Sequence, residues 1–343
     1  MVCLLMVMMM LTVMLWTMEA DAAVGNTSPV KVIFDSDMDG DCDDVAALAL
    51  LHVLADQGEA EILATVTSCR SPWTPQCMDA INRYYGRGHL PVGVPQNGLA
   101  RPSKYTEAVA KACGYVIPGV DAAEDAVAVY RRVLMGQPDG SVIIATVGFH
   151  TNLAALLQAP AQGDLSSGLE LVQRKVKLWA CMGGNFIGKP AQDDLQLGNV
   201  NFQKDAAATY YTINHWPVRV VFVGREVASV PSGVKIGTRF NELPANHPVR
   251  VAYEAYFDGV AKDRHIADPA TVLFAVRGLR DYWEIENYGH MDLHEDMKFE
   301  WKYDANKNQA YLLKRIIDGQ PNDRAVEKVV EELVMTPRKS GAK

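Results

Sequence analysis

Hydrophobic positions along the chain fall into two alternating textures. Six short runs are continuously apolar and rich in β-branched residues: "VKVIF", "EILATVTS", "LPVGV", "SVIIATVG", "VKLWACMGG" and "VRVVFVG". Continuous apolar runs are what strands covered on both faces require. Between them apolar residues recur at helical period, which predicts helices over 44–57, 74–85, 122–135, 152–158 and 203–213. Strand–helix alternation demands right-handed crossovers and therefore a mostly parallel sheet. After Val227 the pattern changes. Helical segments near 249–260 and 268–277 precede "YWEIENYGHMDLHEDMKFEWKYDANKNQAYLL", which reads as short antiparallel strands with a turn at "DANKN". A last helix is expected over 323–334. The predicted fold is α/β: an open, mostly parallel Rossmann-like sheet, helices on both faces, and a small C-terminal antiparallel elaboration.

The first 22 residues stand outside this pattern. "MVCLLMVMMMLTVMLWTM" is an unbroken apolar run, and Ala20 and Ala22 make an A-x-A site. The expectation is an export signal over 1–22, cleaved after Ala22, although no Lys or Arg precedes the apolar run. An uncleaved anchor is the rival reading, but the run is shorter than the ~20 residues a spanning helix needs. Export implies a secreted, periplasmic or extracellular protein with no membrane attachment after cleavage. One domain over 23–337 and a disordered basic tail over 338–343 complete the expected organisation, since no repeat or Pro/Gly/Ser-rich linker interrupts the chain.

Composition narrows the partners. The 343 residues are 49% hydrophobic, ample for a large core, and 22% charged. A formal charge of −8 argues mildly against nucleic acid and anionic membranes as partners. Once Cys3 leaves with the signal, an odd number of cysteines remains: Cys42, Cys69, Cys77, Cys113 and Cys181. No C-x-x-C occurs, which removes the common zinc and thioredoxin-type motifs. Cys69 and Cys77 pair only if the chain turns back between them; buried free thiols are the alternative.

In open α/β sheets ligands bind beyond the carboxyl ends of the strands. Those ends read "DSDMDGDCDD", "TSCRSPW", "VGFHTN" and "MGGNF". The first holds six aspartates in ten residues and no cation. Like charges this dense destabilise a loop unless something positive sits among them. An EF-hand calcium loop matches Asp35, Asp37, Asp39 and Gly40, but its position twelve requires a bidentate Glu and here is Ala46. A phosphohydrolase of the haloacid-dehalogenase kind resembles "VIFDSDMDG", with Asp35 as nucleophile and Asp37 as general acid. Asp41 stands where that family has Thr, and no strand ends in its late acidic pair. The third reading is an all-oxygen metal site at a strand-to-helix turn, which selects Ca²⁺ or Mg²⁺ over zinc. His290 and His294 in "HMDLH" have helical ligand spacing but lie in a strand-like region, so a surface hairpin is the expectation there.

"DSDMDGDCDD" also resembles the signature of the inosine/uridine-preferring nucleoside hydrolases, in a longer form found in secreted relatives. "DAINRYYGRGHLPVGVPQNG", "TVGFHTNLAALL", "MGGNF" with "GNVNFQKDAAA", and "ADPATVLFAV" resemble further segments of that family, in the same order. The resemblance implies a calcium-dependent hydrolase of N-ribosyl bonds. Asp37, Asp44, Asp268 and the backbone carbonyl of Thr151 would hold Ca²⁺. Asp37 would take a proton from a metal-bound water that attacks the anomeric carbon. Asp43, Asn185, Asn199 and Asn201 would contact the sugar, and Asp35 and Asp41 would support the loop. It further implies a small-molecule ribosyl substrate and a homo-oligomer. Asn199 stands where the family often has Glu, and Ala267 where its best-known members have His. Those two departures keep open a calcium-bearing nucleoside- or sugar-binding protein without turnover.

Overall fold

The computed structural model describes residues 28–38, 40–163, 165–186, 200–229 and 233–339. The expected signal segment, Asp39 and Asn199 lie outside the described residues.

Strand β1 (Val30–Ser36) leads into helix α1 (Asp43–Asp56), then β2 (Ala60–Thr67), α2 (Thr74–Tyr84) and β3 (Val92–Val94). Helix α3 (Thr106–Cys113), β4 (Glu124–Asp125), α4 (Ala126–Met135), β5 (Val142–Thr146), α5 (Thr151–Gln158), α6 (Gly168–Lys175) and β6 (Val176–Met182) follow. Past the 187–199 gap come α7 (Val200–Lys204), α8 (Ala206–His215), β7 (Val220–Val223) and the short α9 (Arg225–Ala228). Next are β8 (Lys235–Ile236), α10 (Pro248–Tyr256), β9 (Arg264–His265) and α11 (Ala267–Arg277). Strands β10 (Trp283–Glu286), β11 (His290–Leu293), β12 (Phe299–Lys302) and β13 (Gln309–Lys314) precede α12 (Asp323–Met335). The six apolar runs and the helices expected between them therefore form, with ends shifted by a few residues. Helices α3 and α6 have no counterpart in the sequence reading, because each buries only three residues, against five in the equally short α5.

Nine strands form one sheet in the order β10-β13-β7-β6-β5-β1-β2-β3-β4. All neighbours pair in parallel except β10 with β13. The C-terminal elaboration is thus divided. Strand β13 joins the main sheet parallel to β7, and β10 returns antiparallel beside it. Strands β11 and β12 form a separate antiparallel hairpin that contains His290.

The core lies on both faces of the sheet, which explains the unbroken apolar strands. Val32 and Phe34 face the cluster that includes α1, while Ile33 between them faces the other, with Tyr130 and Trp179. Helix α1 is buried from Asp43 to Leu54 because it packs between the sheet and helices α11, α12 and α10. That is why "VAALALLHVLA" is apolar all round. Cys42, Cys69, Cys77, Cys113 and Cys181 are all free thiols, so Cys69 and Cys77 do not pair. At the C-terminus Arg338 donates to the Tyr84 carbonyl and covers its ring, and Lys339 N–H donates to Asp56. The expected tail is docked over those two residues, and 340–343 lie outside the described residues.

Candidate active site at the carboxyl end of the sheet

Strand β1 sits near the middle of the sheet, so its carboxyl end opens at the centre of the rim. The chain leaves it through a turn with Met38 at φ 47°, pinned by Met38 N–H donating to Ser36 Oγ at 3.0 Å. The turn lies directly on Gly148, where a Cβ would stand 2.2 Å from the Asp37 nitrogen. Only glycine after β5 lets the acidic loop approach so closely. Two residues of the loop, Asp43 and Asp44, form the first turn of α1, where carboxylates suit the helix dipole. Helix α11 brings Asp268 to the same place, and its backbone N–H donates to Asp43 Oδ2 at 3.2 Å.

Carboxylate oxygens of Asp43, Asp44 and Asp268 lie within 4.8 Å of one another, and each residue is at most 5% exposed. Burial raises all three carboxyls well above the usual range. The charges of Asp41 and Asp44 add to this at Asp43, Asp37 adds to it at Asp44, and Asp43 is the largest charge acting on Asp268. Arg264, which acts on the loop, is engaged by Asp41: its Nε donates to both oxygens of that carboxylate at 2.7 and 2.8 Å. Three buried carboxylates, none in a salt bridge with a side chain among the described residues, make a fitting cradle for a hard divalent ion.

Asp35, like Asp41, is held by protein groups. Asp35 is fully buried and accepts from Tyr130 Oη at 2.8 Å and from Asn152 Nδ2 at 3.1 and 3.2 Å. Burial pushes its carboxyl up to about 7, with those two donors opposing. A nucleophile needs access, so this placement removes the phosphohydrolase reading. The loop also follows a strand rather than a helix, which removes the EF-hand reading.

A cavity of about 390 Å³ lies over the cluster, lined by Asp37, Asp43, Asp44 and Asp268 together with Asn201 and several cations. Asp37 is thus in the same cavity but outside the tightest group, whereas Asp43, read from the sequence as a sugar contact, is inside it. Asn201 reaches the cavity from α7 and is fixed by donating from Nδ2 to the Val147 carbonyl at 2.7 Å. Thr151 and Asn185 are not among the described residues that line it. Thr151 starts α5, and its hydroxyl donates to Asp205, the cap of α8. Asn185 lies half-buried in the turn after β6. Asn199 lies outside the described residues.

Residues 32–327 match the profile of the inosine-uridine preferring nucleoside hydrolases. The chain belongs to that family. As a nucleoside hydrolase it is a hydrolase acting on N-glycosyl bonds. Solved structures of the same fold include the plant nucleoside hydrolase PpNRh1, 16% identical, with a TM-score of 0.62 over 90% of this chain and 100% of that one. The inosine-uridine preferring nucleoside hydrolase of Bacillus anthracis is 16% identical, at 0.62 over 89% and 99%. The type III effector XopQ, solved with adenosine diphosphate ribose, is 15% identical, at 0.62 over 90% and 93%. No curated protein matches the chain.

Several supports of this hydrolase's site were not read from the sequence. Ser36 Oγ and Tyr105 Oη both donate to Asp44, the latter at 3.3 Å. Ser36 lies inside the quoted loop, but Tyr105 is 61 residues away and carries no local signal. Glu226 is another. Its Oε1 accepts from Phe186 N–H at 3.2 Å, while Arg225 N–H donates to the Gly184 carbonyl at 3.0 Å, so the turn carrying Asn185 is clamped from both sides. Burial raises the Glu226 carboxyl from the ordinary 4.5 to about 7, and its Oε2 meets no partner among the described residues. The folded state therefore holds a proton that the unfolded chain releases, and this contribution to stability is lost as pH rises from about 4.5 through about 7. Glu226→Gln is expected to remove that slope, on the order of 2–3 kcal/mol across the window. Urea midpoints of both proteins at roughly pH 5 and pH 8 check it; parallel changes in the two would refute the assignment.

Proposed function

We propose that this hydrolase cleaves the N-glycosidic bond of a ribosyl substrate in a calcium-dependent reaction, with Asp37 as general base. The observation that carries the reading is the buried group of Asp43, Asp44 and Asp268 opening into one cavity with Asp37. Asp44 and Asp268 would hold the cation, joined by Asp37 and, as the family resemblance implies, the Thr151 carbonyl. Asp43 would stand between cation and sugar. A hard divalent ion, when bound, supplies a more acidic water as nucleophile and offsets the carboxylate repulsion.

Every other step belongs to side chains. Asp37 takes the proton of the attacking water, which requires an ionised carboxylate within hydrogen-bond reach. The surrounding carboxylates favour the positive charge that develops on the ribosyl ring as the bond to the leaving group breaks. Asn201, already fixed by Val147, presents its free amide oxygen to a sugar hydroxyl. As the family resemblance implies, Asn185 and Asn199 would add further sugar contacts. Calcium is favoured over magnesium because a cluster of several carboxylates with room for further oxygens suits the larger ion.

Ala267 lines the cavity where the best-known relatives have His, so no imidazole acid stands beside the leaving group at that position. This favours, as the second reading, binding without turnover. One experiment separates the two. The purified protein, with calcium, should release reducing sugar from at least one member of a panel of purine, pyrimidine and nicotinamide ribosides. Calcium-dependent binding of a riboside with no sugar released from any of them would replace the enzyme by the binding protein. The N-terminal apolar run supports export, and the family resemblance supports a homo-oligomer.

A further inference from the structure

One wall of the cavity is cationic. Arg225 and Ser229 come from α9 and the residue after it; Arg264 and His265 come from β9. The two segments are tied by Ile266 N–H donating to the Ala228 carbonyl at 3.1 Å. All four residues line the cavity. The Arg225 guanidinium forms no hydrogen bond or salt bridge among the described residues. Its acidic neighbour Glu226 is turned back over Gly224 and held by Phe186 N–H. Arg264 uses Nε and Nη2 on Asp41, lies over the Tyr256 ring, and its Nη1 makes no hydrogen bond among the described residues. His265 also lines the cavity, its ring beside the Val234 backbone, which acts on it as a hydrogen-bond partner.

A neutral ribonucleoside has no use for these groups. A half-buried guanidinium loses part of its hydration and gains nothing unless an acceptor meets it. The group that matches its planar fork is an anion with paired oxygens, a phosphate or a carboxylate. The position fits as well. Arg225 follows β7 and the acidic loop follows β1, with β6 and β5 between them. Three inter-strand steps separate them by roughly 14 Å, about the reach of a ribosyl group with a charged substituent. Arg225 and the acidic loop are therefore distinct ends of one site, bridged by Arg264 on Asp41, and an anion at Arg225 avoids the carboxylates.

We propose that the cavity takes an anionic N-ribosyl substrate, with Arg225 as the charged anchor and Arg264, His265 and Ser229 beside it. The proposal rests on the hydrolase reading for the ribosyl half alone. The anion is a phosphate on the sugar or an acidic group on the leaving base.

The test compares inosine, inosine 5′-monophosphate and orotidine as substrates of the calcium-loaded protein and of Arg225→Gln and Arg225→Lys. One anionic compound should exceed inosine in kcat/KM by at least tenfold, through KM. That ratio should collapse in Arg225→Gln, survive in part in Arg225→Lys, and shrink as salt is raised. Preference for the monophosphate places the anion on the sugar; preference for orotidine places it on the base. Equal or better use of inosine, with no change of ratio in Arg225→Gln, overturns the proposal. If none of the three is cleaved, the hydrolase reading is at fault for them, and the same compounds are titrated calorimetrically into the protein. Tighter binding of an anionic compound, lost in Arg225→Gln, then upholds the anion site, and equal or undetectable binding of all three overturns it.

Discussion

Asp37→Asn is expected to lower kcat for riboside hydrolysis by roughly 10²- to 10⁴-fold, the span of a lost general base. The substitution keeps shape and hydrogen-bonding capacity but cannot take a proton. Asp37 lines the cavity and acts on Asp44 and Asp268, yet it lies outside the tight group of Asp43, Asp44 and Asp268. Its loss should therefore weaken calcium less than Asp268→Asn does. Steady-state kinetics at saturating calcium, with calcium affinity measured by calorimetry on both variants, separates the roles. Turnover within tenfold of the unaltered protein would exclude Asp37 as the base.

Calcium should also stabilise the fold, and one substitution should abolish that effect. Anything that binds only the folded state adds about 2.7 kcal/mol at a hundredfold excess over its Kd. The protein stripped with chelator should melt lower and recover on adding calcium. Burial and mutual repulsion raise the carboxyls of Asp43, Asp44 and Asp268, so in the metal-free protein the folded state binds more protons than the unfolded chain. Its stability then falls as pH rises from the ordinary carboxylate range through the raised values, and calcium reverses the trend. Asp268→Asn removes one of the repelling charges. It should raise the melting temperature of the metal-free protein near neutral pH and abolish the calcium increment. Scanning calorimetry with chelator and with calcium reads both. A calcium increment that persists in Asp268→Asn would place the ion elsewhere.

Much of this was legible in local pattern. Unbroken β-branched runs such as "VIIAT" declared strands buried on both faces, and "VAALALLHVLA" declared a helix buried all round. A run of six aspartates pointed to a cluster able to hold a cation, and three buried carboxylates do meet there. The exceptions share a cause. Helices α3 and α6 bury too few residues for their period to stand out, and β13 reads as a hairpin strand although its partner β7 is 89 residues earlier by the pairing Gln309 with Val220. Partners that distant leave no mark on the local pattern.

The same division runs through the site. The sequence by itself determined the sheet architecture, the place of the acidic loop on it and the oxygen-only chemistry of its ligands, since these follow from residue type and short-range spacing. Only the tertiary structure decided which carboxylates meet. It put Asp43 in the group with Asp44 and Asp268, moved Asp35 away to Tyr130 and Asn152, and matched Asp41 to Arg264. It also brought Arg225 and Arg264 into one wall. Charges separated by hundreds of residues interact through distance in space and local burial, and neither quantity is written in the order of the chain.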